Sequence, residues 1–157
     1  MNDTPFWHKF LSRRFLVAVL AVVVAAGSLW WGVDEEAMQA VNTSVEDFVK
    51  NICLIDKEGN LIVAIVKGED RVSTKKIGKV LGIERPRTAD PQEILEKTGF
   101  ICGGVPSFGY VATFLIDPKV MEKEAIYSGG GSEKSLVKIS PQELLKANQG
   151  QVIKIRK

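Results

Sequence analysis

Short apolar runs separated by polar turns recur along the chain, and their spacing predicts a series of strands. Residues 51–56 and 61–66 are apolar runs on either side of Lys57-Glu58-Gly59-Asn60, which is a hairpin signal. Shorter runs predict four further strands, at residues 113–116, 124–127, 135–139 and 152–155.

Helix-start signals fall before, between and after these strands. Ser73 predicts a helix that ends at Gly82, and Asp90-Pro91 predicts a second helix that ends near Gly99. Ser140-Pro141 repeats this opening for a helix through residue 147. Two earlier helices are predicted at residues 33–41 and 44–49.

Several connections between strands are too short for parallel crossovers. The sequence therefore predicts an α/β (α+β) fold, with a mixed, strongly curved, barrel-like sheet flanked by helices. We expect residues 33–157 to form this domain and residues 1–32 to be an atypical apolar segment.

That segment has no charged residue from 15 to 33, with basic residues before it and acidic residues after it. Three interpretations are open. The segment is a membrane anchor or signal peptide. It is a buried strand or helix of the fold. Or it does not represent the natural coding frame.

Charge narrows the classes of partner. The chain carries a formal net charge of +2, but residues 33–157 hold 18 basic and 18 acidic residues and are neutral. Proteins that track a long nucleic-acid backbone are normally strongly basic. Any contact with nucleic acid is therefore expected to involve only a short piece.

The side chains offer little catalytic chemistry. His8 is the one histidine, and Cys53 and Cys102 are the two cysteines, so neither a metal site nor a cofactor is predicted. The cysteines are expected to be reduced thiols, although their pairing is not decided by sequence.

Two clusters of glycine stand out instead. Residues 103–109 form the first glycine loop and residues 127–131 the second, with predicted strands between them. Clustered glycines mark a backbone with φ > 0 or a close approach of main chain. The two loops are expected to build a pocket walled by backbone N–H groups.

Four segments in this order resemble the YbaK / prolyl-tRNA synthetase-associated editing domain. They are residues 46–52, which look like the family's "E-x-I-V-K-S" segment, residues 61–71 before a "KK" helix at Lys75-Lys76, residues 97–109, and residues 126–131. The similarity spans about residues 33–157. It implies a free-standing aminoacyl-tRNA deacylase that hydrolyses the ester between a mischarged amino acid and the 3′-terminal adenosine of a tRNA.

The resemblance also implies site residues. The expected catalytic residues are Lys50, Gly103, Gly104 and Gly130. By resemblance, Lys50 lies in the pocket that the two glycine loops line and holds phosphate or ribose oxygens at the tRNA's 3′ end. The amides of the three glycines are expected to stabilise the oxyanion. The other expected substrate-binding residues are Asn51, Thr98, Pro106, Ser107, Phe108, Gly109, Ser128, Gly129 and Gly131. The family proposal is that a ribose hydroxyl of the tRNA orients the attacking water.

The chain departs from the family in two places. Some bacterial members have Ser where the alignment places Gly129, with Ser128 one position earlier, and an acid where it places Leu136. Family members also have a polar strand before the part that matches from residue 33. Here the apolar segment stands in its place, either because an anchor replaced the strand or because the frame is wrong there.

The expected function is editing in trans of tRNA such as Cys-tRNA(Pro) or Ala-tRNA(Pro), in the cytoplasm, with prolyl-tRNA synthetase as a further partner. The alternative is a non-catalytic binding module tethered to a membrane through residues 15–33. The face formed by Lys75, Lys76 and Lys79 is expected either to be solvated or to contact tRNA phosphates.

Overall fold

The computed structural model describes residues 20–23, 44–132 and 135–157, with the backbone alone at residues 20–23 and 45. The predicted helix at 33–41, the boundary after residue 32, and His8 lie outside the described residues.

Eight strands and four α-helices are described. The strands are β1 (Leu20–Val23), β2 (Val49–Ile55), β3 (Leu61–Lys67), β4 (Arg87–Thr88), β5 (Thr113–Ile116), β6 (Ile126–Gly129), β7 (Ser135–Ile139) and β8 (Gln151–Val152). The helices are α1 (Thr74–Leu81), α2 (Pro91–Thr98), α3 (Pro118–Met121) and α4 (Pro141–Asn148).

The strands form two sheets. One has the order β4-β2-β3-β5-β8, in which β2 pairs antiparallel with β3, and β3 pairs parallel with β5. The other has the order β1-β7-β6 and is antiparallel throughout. The fold is a mixed α+β fold, as predicted.

The predicted barrel-like closure of the sheet is not supported. The described strands do not close on themselves, and a single isolated bridge between Phe48 and Tyr127 joins the two sheets. The two rings are stacked with their centroids 5.3 Å apart. Backbone pairing between the two sheets is therefore seen only at Phe48, the residue before β2.

Local signals explain most of the helices. Ser73, Asp90 and Ser140 each accept a hydrogen bond from an amide in the first turn of their helices, as predicted. Gly82 and Gly99 end α1 and α2 in the left-handed conformation. Helix α3 and the short strand β4 were not predicted, although Asp117 before Pro118 is the same type of cap as Asp90.

The predicted helix at 44–49 is wrong. The chain makes only a 3₁₀ turn at Val45–Asp47, and β2 begins at Val49, paired with Lys67 of β3. Pairing with β3 outweighs the local capping signal. As a result, Lys50 lies within a strand and not at a helix end.

The five-stranded sheet packs on both faces. On one face, Cys53, Val63 and Ile65 pack with the second sheet and with α2 and α4. On the other face, Leu54 and Val66 pack with Ile77 of α1 and with Ile155. Alternation along β2 therefore decides which layer each of its side chains meets.

Four residues of the apolar N-terminal segment are described. They form β1, which pairs with β7 over Leu20–Val23. The rest of residues 15–33 lies outside the described residues. Among the helices that the structure does describe, none is long and apolar enough to span a bilayer. Cys53 and Cys102 are free thiols, with Cys53 buried and Cys102 exposed.

Candidate active site at the two glycine loops

A closed ring of three side chains joins β2 to the two glycine loops. The Ser107 hydroxyl donates to Asn51 Oδ1 at 2.7 Å, and Asn51 Nδ2 donates to Ser128 Oγ at 3.2 Å. The two serine oxygens lie 2.6 Å apart. Because Ser107 has already used its only proton, Ser128 is the donor in that third bond. Each hydroxyl thus donates once and accepts once.

The two serines of the ring are buried, and Asn51 makes a further hydrogen bond to the first glycine loop. Ser107 and Ser128 are 0% and 1% exposed. The second proton of Asn51 Nδ2 goes to the carbonyl of Val105 at 2.8 Å. From α4, the Asn148 side chain donates to the carbonyl of Ser107 at 3.0 Å. Two elements that are distant in sequence therefore hold this loop through side-chain hydrogen bonds.

The two glycine loops also touch each other directly. The amide of Gly131 donates to the carbonyl of Gly104 at 2.9 Å. A Cβ at Gly129 would lie 2.5 Å from the carbonyl oxygen of Val105, and one at Gly104 would lie 2.9 Å from the backbone of Ser132. No side chain fits at either position. The close approach expected of these glycines is an approach of one loop to the other.

Two of the three amides proposed for the oxyanion already have partners. The amide of Gly104 donates to Ile101 at 3.0 Å, and that of Gly130 donates to Ser135 at 2.8 Å. The amide of Gly103 has no hydrogen-bond partner among the described residues. Gly103 is exposed and has φ of +95°. It is the one of the three whose donor is open to a ligand.

Lys50 lies on the other side of β2. Asn51 pairs with Ile65, whereas Lys50 pairs with Val66, so the two side chains point to opposite faces of the sheet. Lys50 Nζ donates to the carbonyl of Gly68 at 3.1 Å. Within the part of the chain that is described, no hydrogen bond or ion pair joins Lys50 to either glycine loop.

The electrostatic environment of Lys50 is mixed. Partial burial lowers the pKa of its ammonium, the neighbouring charge of Asp70 opposes that effect, and the charge of Arg71 lowers the pKa further. One carboxylate oxygen of Asp70 lies 3.5 Å from Lys119 Nζ, and the other is buried without a partner in the described residues.

Other predicted site residues have structural partners. The Thr98 hydroxyl donates to Ile94 at 2.6 Å and accepts from the amide of Phe100, so it closes the end of α2. Phe108 is 1% exposed and belongs to the core. Pro106 is buried, and its carbonyl accepts a hydrogen bond from Tyr110 at 2.7 Å.

Gly109 is exposed with φ of +101°, and Gly131 has φ of +99°. These two glycines therefore adopt a conformation that other residues rarely take. Asn148 and Tyr110, which hold the first loop, were missed by sequence reasoning. No signal in the sequence separates a helix-ending Asn from any other.

The arrangement favours binding by main chain over catalysis by side chains. Within residues 20–23, 44–132 and 135–157, there is no histidine and no group of three His, Cys, Asp or Glu placed to hold a metal. The two serines of the ring have committed their protons, so neither is set up as a nucleophile. What the site offers is a loop held by several hydrogen bonds, with one amide, that of Gly103, lacking a partner among the described residues.

A family model described as the aminoacyl-tRNA editing domain matches residues 33–147. The protein YwhH of Bacillus subtilis (strain 168), described as uncharacterized, is 25% identical over 112 residues. That match covers 70% of this chain and 71% of YwhH.

Solved structures also match. One, described as "a putative trans-editing enzyme for prolyl tRNA synthetase", has a TM-score of 0.79 at 28% identity. The match covers 88% of this chain and 87% of the chain in that structure. Another, described as a hypothetical protein, has a TM-score of 0.78 at 24% identity over 88% and 91% of the two chains, and it supports the fold alone.

Proposed function

This chain belongs to the aminoacyl-tRNA editing domain family, and on that premise we propose that it is a deacylase that clears mischarged tRNA. Its reaction is hydrolysis of the ester between the amino acid and the terminal adenosine. The proposed substrates are Cys-tRNA(Pro) and Ala-tRNA(Pro). The neighbour described as "a putative trans-editing enzyme for prolyl tRNA synthetase" suggests that synthetase as a partner here.

The observation that carries the proposal is the open amide of Gly103 on a loop that is held rigidly. The buried ring fixes the loop through Ser107, and the contact of Gly131 with Gly104 fixes it from the second loop. A donor that is already oriented costs no reorganisation when the oxyanion forms. Losing one such donor typically costs about 3 kcal/mol of barrier.

In this proposal Asn51, Ser107 and Ser128 act by holding the two loops together. Their hydrogen-bonding groups are used within the ring, so they position the loop and do not contact the ester. The remaining loop residues, Gly109 and Gly129, shape the main chain that lines the site.

Lys50 takes a separate role. Because it lies on the face of β2 opposite Asn51, we assign it to a phosphate of the tRNA end and not to the reacting ester. A lysine ammonium suits phosphate as a point charge. The attacking water is then oriented by a ribose hydroxyl of the substrate, since the described residues supply no histidine base.

The test is deacylation of a panel of aminoacyl-tRNAs by the purified full chain, with Pro-tRNA(Pro) as the correctly charged reference. Lys50→Ala removes a charge-assisted hydrogen bond worth about 1.5–3 kcal/mol, so we expect kcat/KM to fall roughly 10- to 150-fold. The loss should appear mainly in KM, as for a group that binds ground and transition states alike. Lys146→Ala, an exposed lysine on α4, is the matched control. Absence of turnover on every mischarged tRNA would refute the catalytic proposal.

A further inference from the structure

Basic side chains gather around α1, on the face of the sheet that Lys50 shares and the glycine loops do not. They are the exposed Arg71, Lys75, Lys79, Arg85, Lys154 and Lys157, together with the half-buried Lys76. We refer to these seven as the basic face. Among the described residues, none of the seven takes part in an ion pair.

Backbone contacts bring the segments of the basic face together. The amide of Lys157 donates to the carbonyl of Arg71 at 2.8 Å, so the C-terminal segment runs beside the turn after β3. Lys76 Nζ donates to the carbonyl of Arg156 at 2.8 Å, which ties that segment to α1. The turn after β3, the C-terminal segment and α1 therefore lie side by side.

The other side of α1 adds Arg85. A Cβ on Gly78 would lie 3.2 Å from the Cα of Arg85, so the chain passes directly against the helix there. Arg85 Nε donates to the hydroxyl of Thr74 at 2.6 Å. Lys75 and Lys79 are four residues apart, on the side of α1 away from the buried Ile77, and they point to solvent together.

The basic face makes the distribution of charge within the neutral stretch 33–157 uneven. Residues 33–157 hold 18 basic and 18 acidic residues. Seven of these basic residues lie on this face, and within the described part of the chain none of them is paired with an acidic residue, so positive charge is locally in excess there. A neutral protein with such an asymmetric charge distribution still steers a polyanion to one side.

The basic face adjoins Lys50. Lys50 Nζ donates to the carbonyl of Gly68 at 3.1 Å, so its ammonium lies beside the turn that leads to Arg71. Partial burial lowers the pKa of Lys50, the charge of Asp70 opposes that effect, and the charge of Arg71 lowers the pKa further. The described aromatic residues lie elsewhere, in the core and at the junction of the two sheets. A surface of cations without aromatic rings contacts backbone phosphates and does not stack on bases.

We infer that the basic face binds the phosphate backbone of the tRNA body while the acylated end reaches Lys50 and the first glycine loop. This inference rests on the proposed function. In this inference the protein contacts more of the tRNA than the short 3′ piece that was expected from the neutral net charge of residues 33–157.

The test is a titration of the full chain with fluorescently labelled, uncharged tRNA at several salt concentrations. The variant Lys75→Gln with Lys79→Gln removes two cations and keeps good helix formers. Each lost phosphate contact lowers the salt slope of the binding constant by about one, so we expect a loss of about two. The control variant, Lys97→Gln with Lys146→Gln, removes the same charge from the last turns of α2 and α4 and should keep the wild-type slope.

Equal slopes for the wild type and the α1 variant would overturn the inference. An equal loss in the control variant would overturn it too, because the effect would then come from net charge alone. So would preferential binding to vesicles of phosphatidylcholine and phosphatidylserine over tRNA. The labelled tRNA carries no amino acid, so this binding test does not depend on deacylation. If the expected salt slopes are found but no deacylase activity is, the proposed function fails and the inference about the basic face stands.

Discussion

The ring of Asn51, Ser107 and Ser128 predicts a non-additive response to mutation. Ser107→Ala removes one hydroxyl from a site that is 0% exposed and leaves two partners behind, the Asn51 carbonyl and the Ser128 proton. Ser128→Ala removes the other hydroxyl but leaves the bond from Ser107 to Asn51 in place. The two changes are therefore unequal, and each one alters what the other costs.

The magnitude follows from which groups lose their partners. A buried polar group left without a partner costs about 1–3 kcal/mol. Two such groups, one of them on the half-buried Asn51, give roughly 2–4 kcal/mol for Ser107→Ala. Ser128→Ala, which leaves no buried hydroxyl proton unpaired, should cost about 1–2 kcal/mol. In the double variant both hydroxyls are gone, so we expect it to cost about 1 kcal/mol less than the sum.

Urea unfolding of the wild type, both single variants and the double variant gives this coupling free energy. A control cycle pairs Ser107→Ala with Ser73→Ala, which removes the cap of α1 at a cost of about 1 kcal/mol. That cycle should be additive within about 0.5 kcal/mol, because the two residues share no partner. If the Ser107 and Ser128 cycle were equally additive, the ring would not act as a unit and the account of how the loop is held would fail.

Two further predictions concern stability and thiol reactivity. Burial raises the pKa of Asp117, but hydrogen bonds from the amides of Lys119, Ile155 and Arg156 and from the Arg156 guanidinium outweigh it and leave the pKa below its ordinary value. Its stabilisation is therefore complete above the unfolded pKa of about 3.9 and is lost as pH falls through the lower folded pKa. Asp117→Asn should cost about 3 kcal/mol near pH 7, and urea midpoints that differ as much at about pH 2 as at pH 7 would contradict this. Burial, and to a lesser extent the neighbouring Cys102, raises the pKa of the Cys53 thiol to about 12. Alkylation of the folded protein should therefore label Cys102 alone, and alkylation in urea should label both cysteines. Two adducts on the folded protein, detected by mass spectrometry, would refute this.

Much of the fold could be predicted because its signals are local. The β2–β3 hairpin surrounds a five-residue polar turn, and the caps at Ser73, Asp90 and Ser140 act within one helical turn. Resemblance in four ordered segments led to the family, which the match over residues 33–147 confirms. Such signals depend on neighbours a few residues away, so the sequence displays them directly.

The sequence by itself determined three of the four described α-helices, the hairpin and the need for glycine in two loops. Only the tertiary structure decided what those glycines approach, because Gly129 and Val105 are brought together by packing and not by sequence spacing. Pairing of β2 with β3 likewise places the side chains of Lys50 and Asn51 on opposite faces of the sheet. Contacts between segments that are far apart in sequence depend on how whole elements dock, and no local pattern encodes that docking.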